Sequence, residues 1–131
     1  MADIKVVVNG VLGKMGQEVL NAVDKTQGMK PIGGSDIAAN IDQIPLPNGE
    51  GFIPVFQDIK DAVKGADVVV DFTNASGANG VMDAAAPAGA NCVIGSTGLS
   101  QEDFEKAKSL AESNNTSIII APNFAMGAVL M

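Results

Sequence analysis

The sequence contains no histidine, tryptophan or tyrosine, and Cys92 is its single cysteine among 131 residues. Ser-His-Asp triads and Cys-His catalytic pairs both require an imidazole, and zinc sites are usually built from several histidine or cysteine ligands. One thiol also excludes an internal disulfide. We therefore expect no catalysis of these types by the chain itself, and no metal site.

Positive charge is scarce as well. Eight lysines and no arginine stand against 15 acidic residues, which gives a formal net charge of −7 at pH 7. Nucleic-acid binding requires clustered cations, and the sequence has no such cluster. No apolar run approaches the roughly 20 residues of a membrane helix, and the first residues lack the pattern of a signal peptide. We expect no nucleic-acid or membrane partner and a cytoplasmic location.

Hydrophobic residues make up 47% of the chain, which is enough for the core of one domain. Short β-branched runs alternate with segments of helical periodicity, and this alternation predicts an α/β fold with a mainly parallel sheet. The predicted strands cover residues 4–8, 30–34, 67–72, 91–94 and 117–120.

Two segments predict amphipathic helices. The buried face of the first is predicted to comprise Leu12, Met15, Val19, Ala22 and Val23. The buried face of the second is predicted to comprise Phe104, Ala107, Leu110 and Ala111.

The ends of the helices carry their own signals. Ser100 followed by Asp103 predicts a capping box, and Pro87 is expected to end a further helix over residues 77–86. A short helix is predicted over residues 58–64. The preceding stretch, residues 37–54, has three prolines and two glycines, so it is predicted to be a long surface loop.

Three glycines, Gly10, Gly13 and Gly16, follow the first predicted strand and open the first helix. This placement is typical of a dinucleotide-binding turn, in which glycines permit a tight bend, approach of a diphosphate and close helix packing. Lys14 in the first helical turn opposes the helix dipole unless an anion compensates, although a solvated surface lysine explains it equally well. An ordinary tight β-α connection is the alternative for the glycines.

Asp36 lies 20 residues after Gly16, just past the second predicted strand. An acidic residue there accepts hydrogen bonds from the adenosine ribose in this type of fold, and a turn-forming aspartate is the alternative. Because no basic residue lies between Lys30 and Lys60, a 2′-phosphate would meet repulsion without a counter-charge. The sequence therefore favours NADH as cofactor, with NADPH possible.

Two further segments follow predicted strands, where ligands of open α/β sheets bind. Asp71, Phe72 and Thr73 follow the third strand, and residues 95–98, with the sequence Gly-Ser-Thr-Gly, follow the fourth. Both segments are candidate neighbours of a nicotinamide. Turn formation explains the second segment about equally well, and a turn-stabilising role would explain Asp71.

Four motifs in order resemble those of the bacterial dihydrodipicolinate reductases, also called 4-hydroxy-tetrahydrodipicolinate reductases, of lysine and diaminopimelate biosynthesis. They are the glycine turn after Val6-Val7-Val8, Val-Asp-Phe-Thr at 70–73, Val-Ile-Gly-Ser-Thr-Gly at 93–98 and Ala-Pro-Asn-Phe-Ala-Met-Gly at 121–127. The resemblance covers essentially the whole chain.

This resemblance implies a Rossmann-type, doubly wound domain of an NAD(P)H-dependent oxidoreductase. It places Gly13, Lys14 and Met15 at the diphosphate and Asp36 at the ribose. Thr97 is also expected near the substrate carboxylate. The residues implied to surround the nicotinamide are Phe72, Thr73, Gly95, Ser96, Thr97, Ala121, Asn123 and Phe124.

The chain departs from the family pattern in three ways. Ser96 stands where relatives have threonine, and Ile37 stands where several relatives have a basic residue, which agrees with NADH. The third departure is the absence of the family's second domain, which carries a histidine pair, a lysine and a Ser-Gly-Thr segment, binds the dicarboxylate substrate and assembles a homotetramer.

The resemblance therefore implies that residues 1–131 form a single cofactor domain, with 121–131 leading into the missing substrate domain. No catalytic residue is expected in the chain, and the isolated chain is expected to be inactive. A stand-alone nucleotide-binding or redox-sensing module is the alternative. The combined Asp-Phe-Thr, Gly-Ser-Thr-Gly and Ala-Pro-Asn-Phe motifs argue against a different two-domain dehydrogenase related to aspartate or homoserine dehydrogenases.

Overall fold

Strands and helices alternate along the chain in a computed structural model that describes residues 3–47, 51–95 and 98–120. Each helix connects two strands of one sheet. The elements are β1 (Ile4–Asn9), α1 (Lys14–Lys25), β2 (Met29–Ser35), β3 (Gln43–Pro45), β4 (Phe52–Phe56), α2 (Ile59–Ala62), β5 (Val68–Asp71), α3 (Ala75–Ala85), β6 (Asn91–Ile94), α4 (Gln101–Asn114) and β7 (Ile118–Ile120).

The strands form one sheet in the order β3-β4-β2-β1-β5-β6-β7. All neighbouring strands are parallel except β3 and β4, which are antiparallel. The chain builds outward from β1 in one direction through β2 and in the other direction through β5. The predicted doubly wound α/β fold is confirmed, and its topological switch point lies between β1 and β5.

The core lies on both faces of the sheet because neighbouring residues of a strand point to opposite sides. Val7 of β1 belongs to a buried cluster that includes residues of α2, α3 and α4. Val8 belongs to the other cluster, which contains Leu20 of α1 and residues of β3 and β4. Helices therefore cover both faces, as continuous β-branched strands require. Within the described residues, no helix is both long and apolar enough to cross a bilayer.

The five strands predicted from β-branched runs are confirmed as β1, β2, β5, β6 and β7, with ends that differ by at most one residue. The predicted capping box of α4 is confirmed as well. Ser100 Oγ accepts a hydrogen bond from the Asp103 N–H at 3.1 Å, and Asp103 Oδ2 accepts one from the Ser100 N–H at 2.8 Å. The predicted helices at 58–64 and 77–86 correspond to α2 and α3, and α3 ends just before Pro87.

The prediction of a long surface loop over residues 37–54 is wrong. This stretch contains β3 and most of β4, which pair with each other, and β4 also pairs with β2. Ile44 and Ile53 are buried in the cluster under α1. Proline has no N–H to donate to a neighbouring strand, so it is tolerated at the edge of a sheet, where fewer hydrogen bonds between strands are lost. Pro45 lies in the edge strand β3, whereas Pro54 lies in β4, which pairs with both β3 and β2. The prolines of this stretch therefore do not exclude strands.

The predicted buried face of α1 is partly wrong. Gly16, Leu20 and Val23 are its buried residues, whereas Ala22 is exposed. Leu12 precedes the helix, which begins at Lys14, so a helical period counted from Leu12 starts in a turn of different geometry. In α4 only Ala107 is fully buried, and Phe104 is 40% exposed.

Candidate functional site

A cleft of about 470 Å³ opens at the carboxyl ends of the strands around the switch point. Residues that follow β1, β2, β4 and β5 form its walls together with the first two turns of α3. The lining residues are Asn9, Gly10, Asp36, Ile37, Gln57, Asp58, Ile59, Thr73, Asn74, Ser76, Gly77 and Gly80.

The glycine turn between β1 and α1 forms one border of this cleft. Gly10 has a φ of +76°, which favours glycine. The N–H groups of Gly10 and Val11 donate to the carbonyl oxygen of Ser35 at 2.7 and 3.1 Å, so the turn is tied to the end of β2. A Cβ at Gly16 would overlap the carbonyl oxygen of Gly10, so only glycine lets α1 approach the turn this closely.

The N-terminus of α1 follows the glycine turn at the border of the cleft and is not among the lining residues, but it has the groups that a diphosphate requires. Its N-cap is Gly13, which has no side chain to accept a hydrogen bond, and its first turn has no acidic residue. By contrast, α2, α3 and α4 are each capped by a side chain. The first N–H groups of a helix lack intrahelical partners and carry about half a positive charge. Those of Lys14, Met15 and Gly16 are thus donors for an anion.

Asp36 braces the glycine turn and stabilises its own loop. Its Oδ2 atom accepts a hydrogen bond from the Leu12 N–H at 3.0 Å, and its Oδ1 atom accepts one from the Ala38 N–H at 3.0 Å. The turn-forming role considered from the sequence is therefore present. Its half-buried carboxylate also lines the cleft, where it can accept further hydrogen bonds from a ligand.

The cleft carries negative charge. Asp36 and Asp58 both line it, and no lysine is among the described residues that do so. Asp58 caps α2, and its Oδ1 atom accepts a hydrogen bond from the Lys60 N–H at 2.9 Å. An anionic group placed near these two carboxylates would be repelled, whereas hydroxyl donors would be accepted.

A chain of polar side chains crosses three adjacent strand ends beneath the cleft. Ser35 Oγ donates to Asn9 Oδ1 at 2.7 Å, and Asn9 Nδ2 donates to Asp71 Oδ1 at 2.8 Å. Thr73 Oγ1 donates to the same Asp71 oxygen at 2.7 Å. Ser35 and Asp71 are almost completely buried. Asn9 of β1 is the register partner of Ser35 in β2 and of Asp71 in β5, so the three side chains lie side by side.

Cys92 lies in β6, next to β5. Burial, with a smaller contribution from the negative charge of Asp71, raises the pKa of its thiol to about 11. A thiol with so high a pKa is protonated at neutral pH and is therefore a poor nucleophile. Cys92 packs as a small apolar residue in the core, as its position in a predicted strand indicates.

The structure brings together several of the residues predicted to bind a cofactor. Gly10, Asp36 and Thr73 line the cleft. Gly13, Lys14, Met15 and Gly16 form the start of α1, and the Gly95 N–H donates to the Asp71 carbonyl oxygen at 2.7 Å. Phe72 is half-buried and does not line the cleft. The predicted residues Ser96, Thr97, Ala121, Asn123 and Phe124 lie outside the described residues.

Sequence reasoning missed four residues that shape this site. Asn9 and Ser35 belong to the polar chain, and Gln17 Nε2 donates to the Val11 carbonyl oxygen at 2.6 Å, which braces the glycine turn. Gly34 leaves space for the Val11 side chain, because a Cβ there would lie 2.7 Å from Val11 Cγ1. Among these, only Gly34 carried a signal, since glycine within a strand often marks a close approach.

The sequence matches the family described as dihydrodipicolinate reductase, N-terminus, over residues 4–124. The chain belongs to this family. A 4-hydroxy-tetrahydrodipicolinate reductase from Dehalococcoides mccartyi is 44% identical to it over 133 aligned residues, which cover 100% of this chain and 51% of the relative. The reductase of the same name from Synechocystis is 36% identical and is matched over 98% of this chain and 50% of its own length. The chain thus spans about half the length of the curated relatives that it matches.

Solved structures agree with this family membership. A dipicolinate-bound dihydrodipicolinate reductase from Paenisporosarcina sp. is 30% identical, with a TM-score of 0.79 over 98% of this chain and 50% of that one. A scyllo-inositol dehydrogenase from Lactobacillus casei, 20% identical with a TM-score of 0.71, shares the fold. The resemblance to the reductase family drawn from four motifs is confirmed.

Proposed function

We propose that this chain is the NADH-binding domain of a 4-hydroxy-tetrahydrodipicolinate reductase. The bound nicotinamide would supply a hydride to a cyclic, unsaturated dicarboxylate. The observation that carries the proposal is the uncapped N-terminus of α1 beside a cleft at the switch point. The dipicolinate bound to the Paenisporosarcina relative supports the substrate class.

The cleft and the segments around it each have a role in this proposal. The N–H groups at the start of α1 bind the diphosphate, and Gly13 lets it approach the backbone. Gly10 permits the tight turn, and Gly16 permits the close approach of α1 to that turn. Asp36 accepts hydrogen bonds from the adenosine ribose. Thr73 and the segment that begins at Gly95 orient the nicotinamide half, together with the predicted residues Phe72, Ser96, Thr97, Ala121, Asn123 and Phe124.

The charge of the cleft supports NADH over NADPH. Asp36 and Asp58 both line the cleft, and no described lysine lines it to neutralise a ribose 2′-phosphate. The exposed Ile37, beside Asp36, offers an apolar surface and no counter-charge. Two carboxylates without a cation disfavour the additional phosphate of NADPH.

The rest of the reaction is proposed to depend on a second domain. The curated relatives are about twice as long as the matched region. We propose that residues 121–131 lead into a substrate domain that holds the dicarboxylate, supplies the proton and assembles a homotetramer in the cytoplasm. In this proposal the present chain binds and orients the cofactor but does not turn over substrate alone.

Calorimetric titration of the chain with NADH and with NADPH at fixed ionic strength tests the proposal. We expect NADH to bind more tightly. Asp36→Asn keeps an oxygen for the Leu12 N–H but removes the charge, so it should lower the ratio of NADPH to NADH dissociation constants about tenfold or more. Asp42→Asn is the matched control because Asp42 carries the same charge outside the cleft.

Two results would contradict the proposal. Failure of the folded chain to bind either dinucleotide would reject the cofactor site. Equal effects of Asp36→Asn and Asp42→Asn on the ratio would remove Asp36 from cofactor discrimination, even if NADH binds.

A further inference from the structure

Asp71 occupies a position where three loops of the site meet. It is the last residue of β5 and is completely buried, so its side chain does not line the cleft. Its Oδ1 atom accepts hydrogen bonds from Asn9, just before the glycine turn, and from Thr73, in the loop that leads to α3. Its carbonyl oxygen accepts the Gly95 N–H at the exit of β6.

Thr73 shows what this connection does in the cleft. Its hydroxyl donates to Asp71, which fixes the rotation of the side chain. In that orientation the methyl group Cγ2 faces Gly10, so closely that a Cβ at Gly10 would lie 2.5 Å from it. The Oγ1 atom packs against Gly77 at the start of α3. These contacts thus fix the distance between Thr73, on the wall of the cleft, and the glycine turn.

We infer that Asp71 is a positioning residue for the dinucleotide, acting through Thr73 and Asn9. It sets the gap between the glycine turn and the β5–α3 loop, through which the ligand passes from the Asp36 end of the cleft to the exits of β5 and β6. This inference rests on the proposed function. Asp36 is held by separate hydrogen bonds from Leu12 and Ala38, so the adenosine end does not depend on Asp71.

The test compares NADH with AMP, which lacks the nicotinamide half, as ligands of the chain. Asp71→Leu removes the carboxylate acceptor, and Thr73→Val removes the hydroxyl donor while keeping the methyl group. Each variant should weaken NADH binding about tenfold or more, whereas the AMP dissociation constant should stay within about twofold. Asp71→Asn retains an oxygen for both donors and should restore NADH binding to within about threefold.

A double-mutant cycle separates positioning by Asp71 from direct contact by Thr73. If Asp71 acts through Thr73, the double variant should bind NADH no more weakly than the weaker-binding single variant. Thr26→Val is the matched control, because the Thr26 hydroxyl donates to the Ala22 carbonyl oxygen far from the cleft. Circular dichroism of each variant checks the fold, and Thr73→Val alone still tests the inference if Asp71→Leu does not fold.

Several outcomes would overturn the inference. They are unchanged NADH binding by Thr73→Val, additive losses in the double variant, and equal losses for NADH and AMP, which would indicate a merely structural role. Loss of binding by Asp71→Asn equal to that by Asp71→Leu would also reject it. Failure of the unmodified chain to bind NADH would instead reject the proposed function, and this inference with it.

Discussion

Cys92 links the core of the sheet to the pH dependence of stability. The pKa of its thiol is about 11 in the folded protein against a reference value of 9.0. Because the folded state retains this proton more strongly, the raised pKa contributes to the free energy of unfolding, and this contribution is fully present below pH 9. It is lost as the pH rises towards 11, and two pKa units correspond to about 2–3 kcal/mol.

We predict that Cys92→Ala removes this dependence. The difference in unfolding free energy between the original chain and the variant should shrink between pH 8 and pH 11, measured by urea denaturation at each pH. Every other pH-dependent contribution to stability is common to both proteins and cancels in the difference. A difference that stays constant over this range would show that the thiol does not have a raised pKa.

Single residues also show where sequence reasoning succeeds at the site and where it stops. Gly10 and Gly16 are recognisable because a tight turn and a close helix approach demand glycine there. Asn9 and Ser35 are not, because their roles depend on the register that sets them beside Asp71. Register between strands that are distant in sequence is not encoded in a local pattern.

At the level of one element, α3 contains two glycines with opposite environments. A Cβ at Gly77 would overlap the Thr73 Oγ1 atom, whereas nothing lies within 4 Å of a Cβ at Gly80. Alanine is favoured over glycine in a helix by about 0.5–1 kcal/mol where it fits. We therefore predict that Gly80→Ala raises the unfolding free energy by about that amount and that Gly77→Ala lowers it.

Urea denaturation of the two variants measures this contrast. Repeating Gly77→Ala in a Thr73→Ala background should relieve the destabilisation, because the overlapping oxygen is gone. Destabilisation of the same size in both backgrounds would mean that the overlap with Thr73 is not its cause.

Elements with strong local signals were predicted well, and the others were not. β1 and β5 are short runs of β-branched residues buried at the centre of the sheet, and α4 begins at a capping box. β3 and β4 lack such a signal, because prolines interrupt them and Gly51 precedes β4. Their strand structure comes from pairing with each other and with β2, which a single sequence does not reveal.

For the whole molecule, the sheet predicts a gradient of local stability. β1 pairs with strands on both sides, and Val6, Val7 and Val8 are buried, whereas Ile119 of β7 is 58% exposed. Opening of a buried central strand requires more of the structure to unfold than opening of a strand with few buried contacts. We predict that amides of β1 and β5 exchange most slowly with solvent and that those of β3 and β7 exchange early.

Hydrogen exchange followed by NMR at neutral pH checks this order. Low concentrations of urea should leave the exchange of the β1 and β5 amides slow. Their exchange should accelerate only near the urea concentration at which the whole protein unfolds. Protection of Ile119 equal to that of Val7 would contradict the predicted gradient.

The polar chain beneath the cleft also has a kinetic consequence. Its members are far apart in sequence: Ser35 is 26 residues from Asn9, and Asn9 is 62 residues from Asp71. Non-local contacts form late because each requires closure of a long loop, and proteins dominated by them fold slowly. Completion of this network thus follows assembly of β2, β1 and β5. During refolding, recovery of dinucleotide binding would therefore report on the central sheet and lag behind formation of the helices.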